Sequence, residues 1–448
     1  MKKRLIGIVC SLLVLSCTGL AQQQVPEGRI EITFWYANKG LLGDAIVQLV
    51  DKFNASQNKY WVTATYKGGY ATTLADAIAA FRAGQPPDIV QVYEVGTATM
   101  MAAISTGAVY PIYKLFEDTG VPFDSSQYIP AIAGYYSLPG GGLAALPFNT
   151  STPVLWYNKD AFQAAGLDPN APPSTWEELR FVAKKILETH AAEIPFTVSW
   201  FPWTMLECLA TLHNVPFATL DNGFGGLETE LALLQHPLFT HHLEYLLAMY
   251  NEGTFVYSGR DSTPDGTFPA GKAAMLIASS ALRGRISREA TFAWGETFLP
   301  FYPEYAPTPY ASIIGGAALW VMRSPQASKE KLEGIATFLA FLAQPENVAW
   351  YHTYTGYLPV TIPGYELARA QGYYEQNPGA DVPIRQLLRE PVTPYTRGIR
   401  LGDYGAIRNL VYDEIEALLQ GQQTVEQTLR NIVEKGNEIL RNFESIYK

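Results

Sequence analysis

The feature that most constrains the fold is the alternation of two periodicities between residues 30 and 94. Ile30 to Tyr36 (IEITFWY) has the length and β-branched, aromatic character of a strand, and Leu42, Ile46, Leu49, Val50 and Phe53 then fall on one helical face. Trp61 to Tyr66 reads as the next strand. Leu74, Ile78 and Phe81 mark a second helix, stopped by Gly84 and the pair Pro86-Pro87. Asp88 to Tyr93 (DIVQVY) is a third strand, and Glu94 stands just past its end. This order predicts an open, mostly parallel sheet with helices on both faces. Such sheets bind ligands beyond the carboxyl ends of their strands, where Glu94 sits.

A second region of the same kind follows. Pro153 to Tyr157 (PVLWY) is a strand, and Ser174 and Thr175 stand at capping-box spacing from Glu177 and Glu178 at the start of a helix. Later helices are expected over 331–343, stopped by Pro345, and near 406–419 and 425–443, the last with Thr424 and Gln427 as its capping box. At 448 residues the chain exceeds one ordinary core, so two lobes are the default. The expected division is 28–150 with 281–316 for the first lobe, and 151–280 with 317–448 for the second. The fold class is therefore α/β, each lobe an open, mostly parallel sheet flanked by helices, with a ligand cleft between them.

Residues 1–24 read as an export signal: Lys2, Lys3 and Arg4 precede an apolar stretch from Leu5 to Leu15, too short to anchor permanently in a bilayer. Two cleavage patterns are legible. Val14-Leu15-Ser16-Cys17 resembles a relaxed lipoprotein signal in which Cys17 would carry lipid, and Gly19-Leu20-Ala21 offers the small residues that a conventional signal peptidase reads. A cysteine closing an apolar core weights the reading toward the first. Either way the location is extracytoplasmic, and no later segment is apolar for long enough to span a membrane.

Loss of the signal removes three basic residues and no acidic one, which takes the net charge from −10 to −13, with 29 of the 32 basic residues left against 42 acidic. No basic tract remains to displace counterions from a nucleic acid. Beyond Cys10 and Cys17 the chain has only Cys208, so no internal disulfide forms in the body, and Cys208 reads as a small core residue. The six histidines have no metal-ligand spacing, and neither a phosphate loop nor a GxSxG elbow is present. No cofactor, metal or catalytic residue is expected.

Several stretches carry more polar and aromatic residues than structure alone needs, and each has a plain alternative. Glu94 is a ligand contact or a solvated loop acid. Pro147 to Thr152 (PFNTST), taken alone, reads as a turn. Ser199-Trp200-Phe201-Pro202-Trp203 is core packing or a stacking wall. Met275 to Ser280 is an apolar strand ending in hydroxyls, Ile313-Ile314-Gly315-Gly316 a strand whose glycines admit close approach, and Arg408 lies in an early turn of a helix.

In VYEVGTATMM (92–101), PFNTSTPVLWYNKDAF (147–162), IIGGAALWVM (313–322) and TGYLPVT (355–361), the chain resembles the glycerol-3-phosphate-binding branch of the extracellular solute-binding proteins, which serve Ugp-type ABC importers and share their fold with the maltose-binding protein. YKGGY, NPGAD and RLGDYGAIR extend the likeness from about Phe34 to Phe443. NKDAF and PPSTWEEL recur in sugar-binding relatives and are weakly specific. YEVGTATMM, NTSTPV and IIGG are more so. The first loop departs from the pattern, reading Tyr36-Ala37-Asn38-Lys39-Gly40, and this puts any contact from it in doubt.

The resemblance implies ligand contacts at Tyr70, Glu94, Ser151, Ser279, Gly316, Tyr357 and Arg408, with Trp200 and Trp203 as an aromatic wall. Arg408 would hold a phosphate, the hydroxyls and the Gly316 N–H would take other phosphate oxygens, and Glu94 would accept from glycerol hydroxyls. The implied protein is a monomer that closes on sn-glycerol 3-phosphate or a glycerophosphodiester such as glycerophosphocholine and delivers it to the importer's membrane subunits. Two other readings compete: a sugar-binding protein of the same fold, and a secreted glycerophosphodiester hydrolase.

Overall fold

Strand formation at the start of the chain follows from Ile30–Tyr36 (β1), whose Ile32 and Phe34 are buried while Glu31 stays at the surface. The computed structural model describes residues 24–324 and 326–448. The signal segment and Cys17 therefore lie outside the described residues.

β1 pairs in parallel with Tyr60–Tyr66 (β2) and with Ile89–Tyr93 (β3). Helices Gly40–Ser56 and Tyr70–Arg82 make the crossovers, and Ala45, Ile46, Leu49, Val50 and Phe53 bury the face expected from the sequence. The next strands are Val109–Tyr110 (β4), Leu146–Ser151 (β5), Pro153–Asn158 (β6), Ile194–Val198 (β7), Ala273–Ser279 (β8), Trp294–Thr297 (β9) and Gly315–Met322 (β10). They form a first sheet ordered β2-β1-β3-β10-β4, with β5 also on β10, and a second ordered β7-β8-β6-β9.

The two-lobed α/β architecture stands, but the strand sense is more mixed than alternation predicts. β10 runs antiparallel to β3, β4 and β5. In the second sheet only β7 and β8 are parallel, and β6 is antiparallel to both β8 and β9. The expected lobe boundaries also need correction. β9, placed by the sequence in the first lobe, pairs with β6 of the second sheet. β10 from Ala317 on and the helices Lys329–Leu342 and Pro345–Thr355, placed in the second lobe, build the first core through Leu319, Trp320, Ile335, Phe338, Leu339 and Tyr351. The cause is a return: the chain leaves the first sheet between Ser151 and Pro153, comes back after β9 as an antiparallel strand, and leaves again before Ile399, which joins the second core.

PFNTST is likewise not a turn. Pro147 to Ser151 belong to β5, buried throughout, because β10 supplies ladder partners for this polar stretch. Thr175 and Glu178 form the expected reciprocal capping box, whereas at Thr424 only half of one forms: its Oγ1 accepts from the N–H of Gln427, whose own side chain donates to Asn431 instead. Cys208 is buried and unpaired, and among the described residues no helix is long and apolar enough to cross a membrane.

Candidate functional site

The carboxyl end of β3 and its neighbours carry a buried polar network. Gln91, the one polar residue inside IVQVY, is fully buried; its Oε1 accepts from the Ala37 N–H at 2.7 Å and its Nε2 donates to Asn38 Oδ1 at 2.6 Å and Asn149 Oδ1 at 2.8 Å. With their carbonyls thus oriented, both asparagines aim their amides at the first residue of the Tyr70–Arg82 helix. Asn38 Nδ2 donates to Tyr70 Oη at 3.1 Å and Asn149 Nδ2 at 2.9 Å. Asn38 Nδ2 also reaches Tyr357 Oη at 3.5 Å. The Tyr70 ring stacks on Tyr93, centroids 5.3 Å apart and 2° from parallel. Burial raises the pKa of Tyr70 and of Tyr357, so both hydroxyls stay neutral.

The junction of the sheets brings in a second group. In the β5–β10 register Ser151 faces Gly315 and Thr150 faces Gly316. Gly316 has φ +90°, and a Cβ there would lie 1.9 Å from the Asn149 carbonyl oxygen, so this position admits only glycine. At Gly315 a Cβ would meet the Trp203 ring at 2.4 Å. Trp203 is buried against the β5–β10 crossing, whereas Trp200 is half-buried with φ +53°. Ser279 ends β8, faces Pro153, and its Oγ accepts from the Ala281 N–H at 3.2 Å.

The third group is charged. Arg408, on the helix Tyr404–Leu419 and 8% exposed, donates from Nε to Glu207 Oε1 at 2.7 Å and from Nη2 to Glu207 Oε2 at 2.6 Å. Its Nη1 lies 2.9 Å from Glu94 Oε1. Glu207, 1% exposed, ends the π-helical turn Pro202–Glu207 that also carries Trp203. Burial raises the pKa of Glu94 more than the attraction of Arg408 lowers it, and the charge of Glu207 raises it further. For Arg408 burial opposes the charge, but Glu207 and Glu94 outweigh it and hold the guanidinium protonated.

Of the residues singled out from the sequence, Tyr70 and Tyr357 share one network, Ser151, Gly316 and Trp203 meet at the β5–β10 crossing, and Glu94 meets Arg408. Ser279 and Trp200 flank these groups without a direct bond to them among the described contacts. Four participants were missed. Glu207 was legible as a lone acid in an apolar run (WTMLECLA), and Gln91 as a polar residue inside a buried strand. Asn149 lay in a stretch read as a turn, and Asn38 in the loop whose contacts were in doubt. The surface hollow of about 460 Å³ lined mainly by Ile129, Ile362, Ile384 and Leu388, with Tyr365 and Arg385 as its polar members, contains none of these groups. Among the described residues no acid–histidine–cysteine cluster is arranged to hold a metal.

Residues 48–372 match the profile described as bacterial extracellular solute-binding protein, and the chain belongs to that family. It is a family of binding proteins, and its place is outside the cytoplasm. The chain is 44% identical over 418 residues to the sn-glycerol-3-phosphate-binding periplasmic protein UgpB of Salmonella typhimurium, covering 93% of this chain and 94% of the relative. Over 431 residues it is 43% identical to the UgpB of Escherichia coli, covering 96% and 97%. Among solved structures it is similar to UgpB from Mycobacterium tuberculosis in complex with glycerophosphocholine, with TM-score 0.76, 23% identity, and coverage of 93% and 99%. It is also similar to maltose-bound MalE3 of T. maritima, with TM-score 0.72, 17% identity, and coverage of 90% and 98%. These two likenesses concern the fold alone.

Proposed function

We propose that the protein is the substrate-binding component of an ABC importer, with sn-glycerol 3-phosphate as ligand and glycerophosphocholine as a second candidate. The observation that carries this reading is Arg408: a buried guanidinium of the second core with one edge directed at the end of β3 in the first sheet. A guanidinium is permanently charged and matches phosphate oxygens with paired donors, which a neutral sugar does not require. The hydroxyls of Ser151, Ser279 and Tyr357 and the N–H of Gly316 supply neutral donors for the other phosphate oxygens. Glu94 suits the glycerol hydroxyls, and Trp200 and Trp203 cover its C–H face. The relatives at 43–44% identity bear the name of glycerol 3-phosphate, which supports the same ligand.

Binding makes or breaks no bond. A ligand that contacts both sheets binds the closed arrangement better than the open one and shifts the population toward it. The closed monomer then delivers its load to the membrane subunits. Processing at Cys17 would tether the mature chain to the membrane, and mass spectrometry of the exported protein distinguishes a lipidated Cys17 from cleavage after Ala21.

Calorimetric titration separates the ligand readings. Glycerol 3-phosphate should bind with a dissociation constant near micromolar, equivalent to about −8 kcal/mol, and maltose should give no heat. Saturable maltose binding without glycerol 3-phosphate binding would move the protein to the sugar binders. Release of glycerol or choline from glycerophosphocholine would make it a hydrolase.

A further inference from the structure

The charged group holds one cation against two carboxylates, and all three are buried: Arg408, Glu207 and Glu94. The other titratable groups around Glu94 are the hydroxyls of Tyr93, Tyr135, Tyr136 and Tyr357 and the Cys208 thiol. None of these supplies a positive charge. Burying an unbalanced carboxylate is costly, and an apolar or amide side chain would avoid the cost.

The two carboxylates are not equivalent. Glu207 takes the Nε and Nη2 edge of Arg408 from within the same core, to which Leu206, Ile407 and Tyr404 also belong. Glu94 takes Nη1 from the end of β3, in the other sheet. A guanidinium offers its in-plane donors along two paired edges, so with Glu207 on one, the edge that includes Nη1 is where a second anion is received in fork geometry. Glu94 already stands on it.

We propose that Glu94 is a resident stand-in for the ligand's anion: a phosphate entering the cleft displaces the Glu94 carboxylate from Nη1, while Glu207 remains on Nε and Nη2 and keeps the guanidinium aimed. This rests on Arg408 being the phosphate-binding group. The exchange conserves the pairing of Arg408 at every stage, so the guanidinium is never left buried and alone. The freed carboxylate lies beside the incoming glycerol, where it accepts from hydroxyls. Burial already raises its pKa, so a proton taken up there relieves the added negative charge. Glu207 is a positioning residue. Because the Glu94–Arg408 pair joins one sheet to a helix of the other core, it also favours closure before ligand arrives, and the ligand takes over a bridge that already exists.

The test uses the mature protein, with inorganic phosphate and sn-glycerol 3-phosphate as calorimetric probes on wild type, Glu94→Gln and Glu207→Gln. Inorganic phosphate has no glycerol hydroxyls and so reports the competition alone. Glu94→Gln should bind it at least tenfold more tightly than wild type, and small-angle scattering of this variant without ligand should give a larger radius of gyration. Glu207→Gln should bind both probes at least tenfold more weakly, and Glu207→Asp, which restores the charge, should recover part of the loss. Glu94→Ala serves the same purpose should Glu94→Gln fail to fold. Phosphate affinity in the folded Glu94 variant equal to or weaker than wild type overturns the exchange. With wild type still binding glycerol 3-phosphate, that result leaves the proposed function standing. A wild type that binds no glycerol 3-phosphate removes both.

Discussion

Replacing Arg408 with Met keeps much of the side-chain length and apolar stem and removes the charge. Two carboxylates, Glu94 at 8% and Glu207 at 1% exposure, then face each other without a cation. Breaking a buried ion pair by removing one partner costs about 3–5 kcal/mol. With a urea slope of about 3 kcal/mol per M, the unfolding midpoint drops by about 1–1.7 M. The loss must also depend on pH. Without Arg408, burial and the neighbouring Glu207 charge raise the Glu94 carboxyl further above its unfolded value in the folded state. Stability tied to a raised acid is fully present below its unfolded pKa of about 4.3 and is lost as pH rises through the folded value. The variant should therefore lie closest to wild type near pH 5 and fall furthest behind at pH 8. Urea titrations followed by circular dichroism at the two pH values measure this. Binding of glycerol 3-phosphate should fall in parallel by about 2–5 kcal/mol, the cost of truncating one partner of a buried charge pair. A variant within about 1 kcal/mol of wild type at both pH values would refute the reasoning, because Arg408 would then not be what keeps the two acids buried.

Asp265 is half-buried and hydrogen-bonded by Ser199 Oγ at 2.5 Å, and desolvation lifts its pKa to about 6. Its raised acid destabilises as pH climbs through 6, so Asp265→Asn should be more stable than wild type at pH 8 by up to about 3 kcal/mol and gain little at pH 4, as read by thermal melts. Gly316→Ala puts a methyl 1.9 Å from the Asn149 carbonyl at φ +90°. It should cost at least about 1–3 kcal/mol and weaken glycerol 3-phosphate binding by moving Asn149, hence Tyr70. Both effects appear in a melt and a titration of the same sample.

Legibility in the sequence divides along physical lines. β1, β3 and the helix that carries Arg408 were readable because their burial pattern is local and periodic. β5 was not, since Pro147, Asn149 and the hydroxyls of residues 150–152 look like a turn until β10 satisfies their backbone from the far side of the second lobe. The lobe boundaries failed for the same reason: a returning antiparallel strand leaves no mark in alternation. Arg408 and Glu94 could be named individually from the resemblance, yet their mutual pairing could not, because it is decided by how the two sheets meet. Glu207 was the clearest missed signal, a single acid in an otherwise apolar turn that only a buried cation explains.

The most direct measurement is the crystal structure of the protein grown with sn-glycerol 3-phosphate. It should place a phosphate oxygen on Arg408 Nη1, between the end of β3 and the helix Tyr404–Leu419, with Glu207 still on Nε and Nη2 and Glu94 turned to the glycerol. A ligand bound elsewhere, with Arg408 still joined to both carboxylates, would contradict the account.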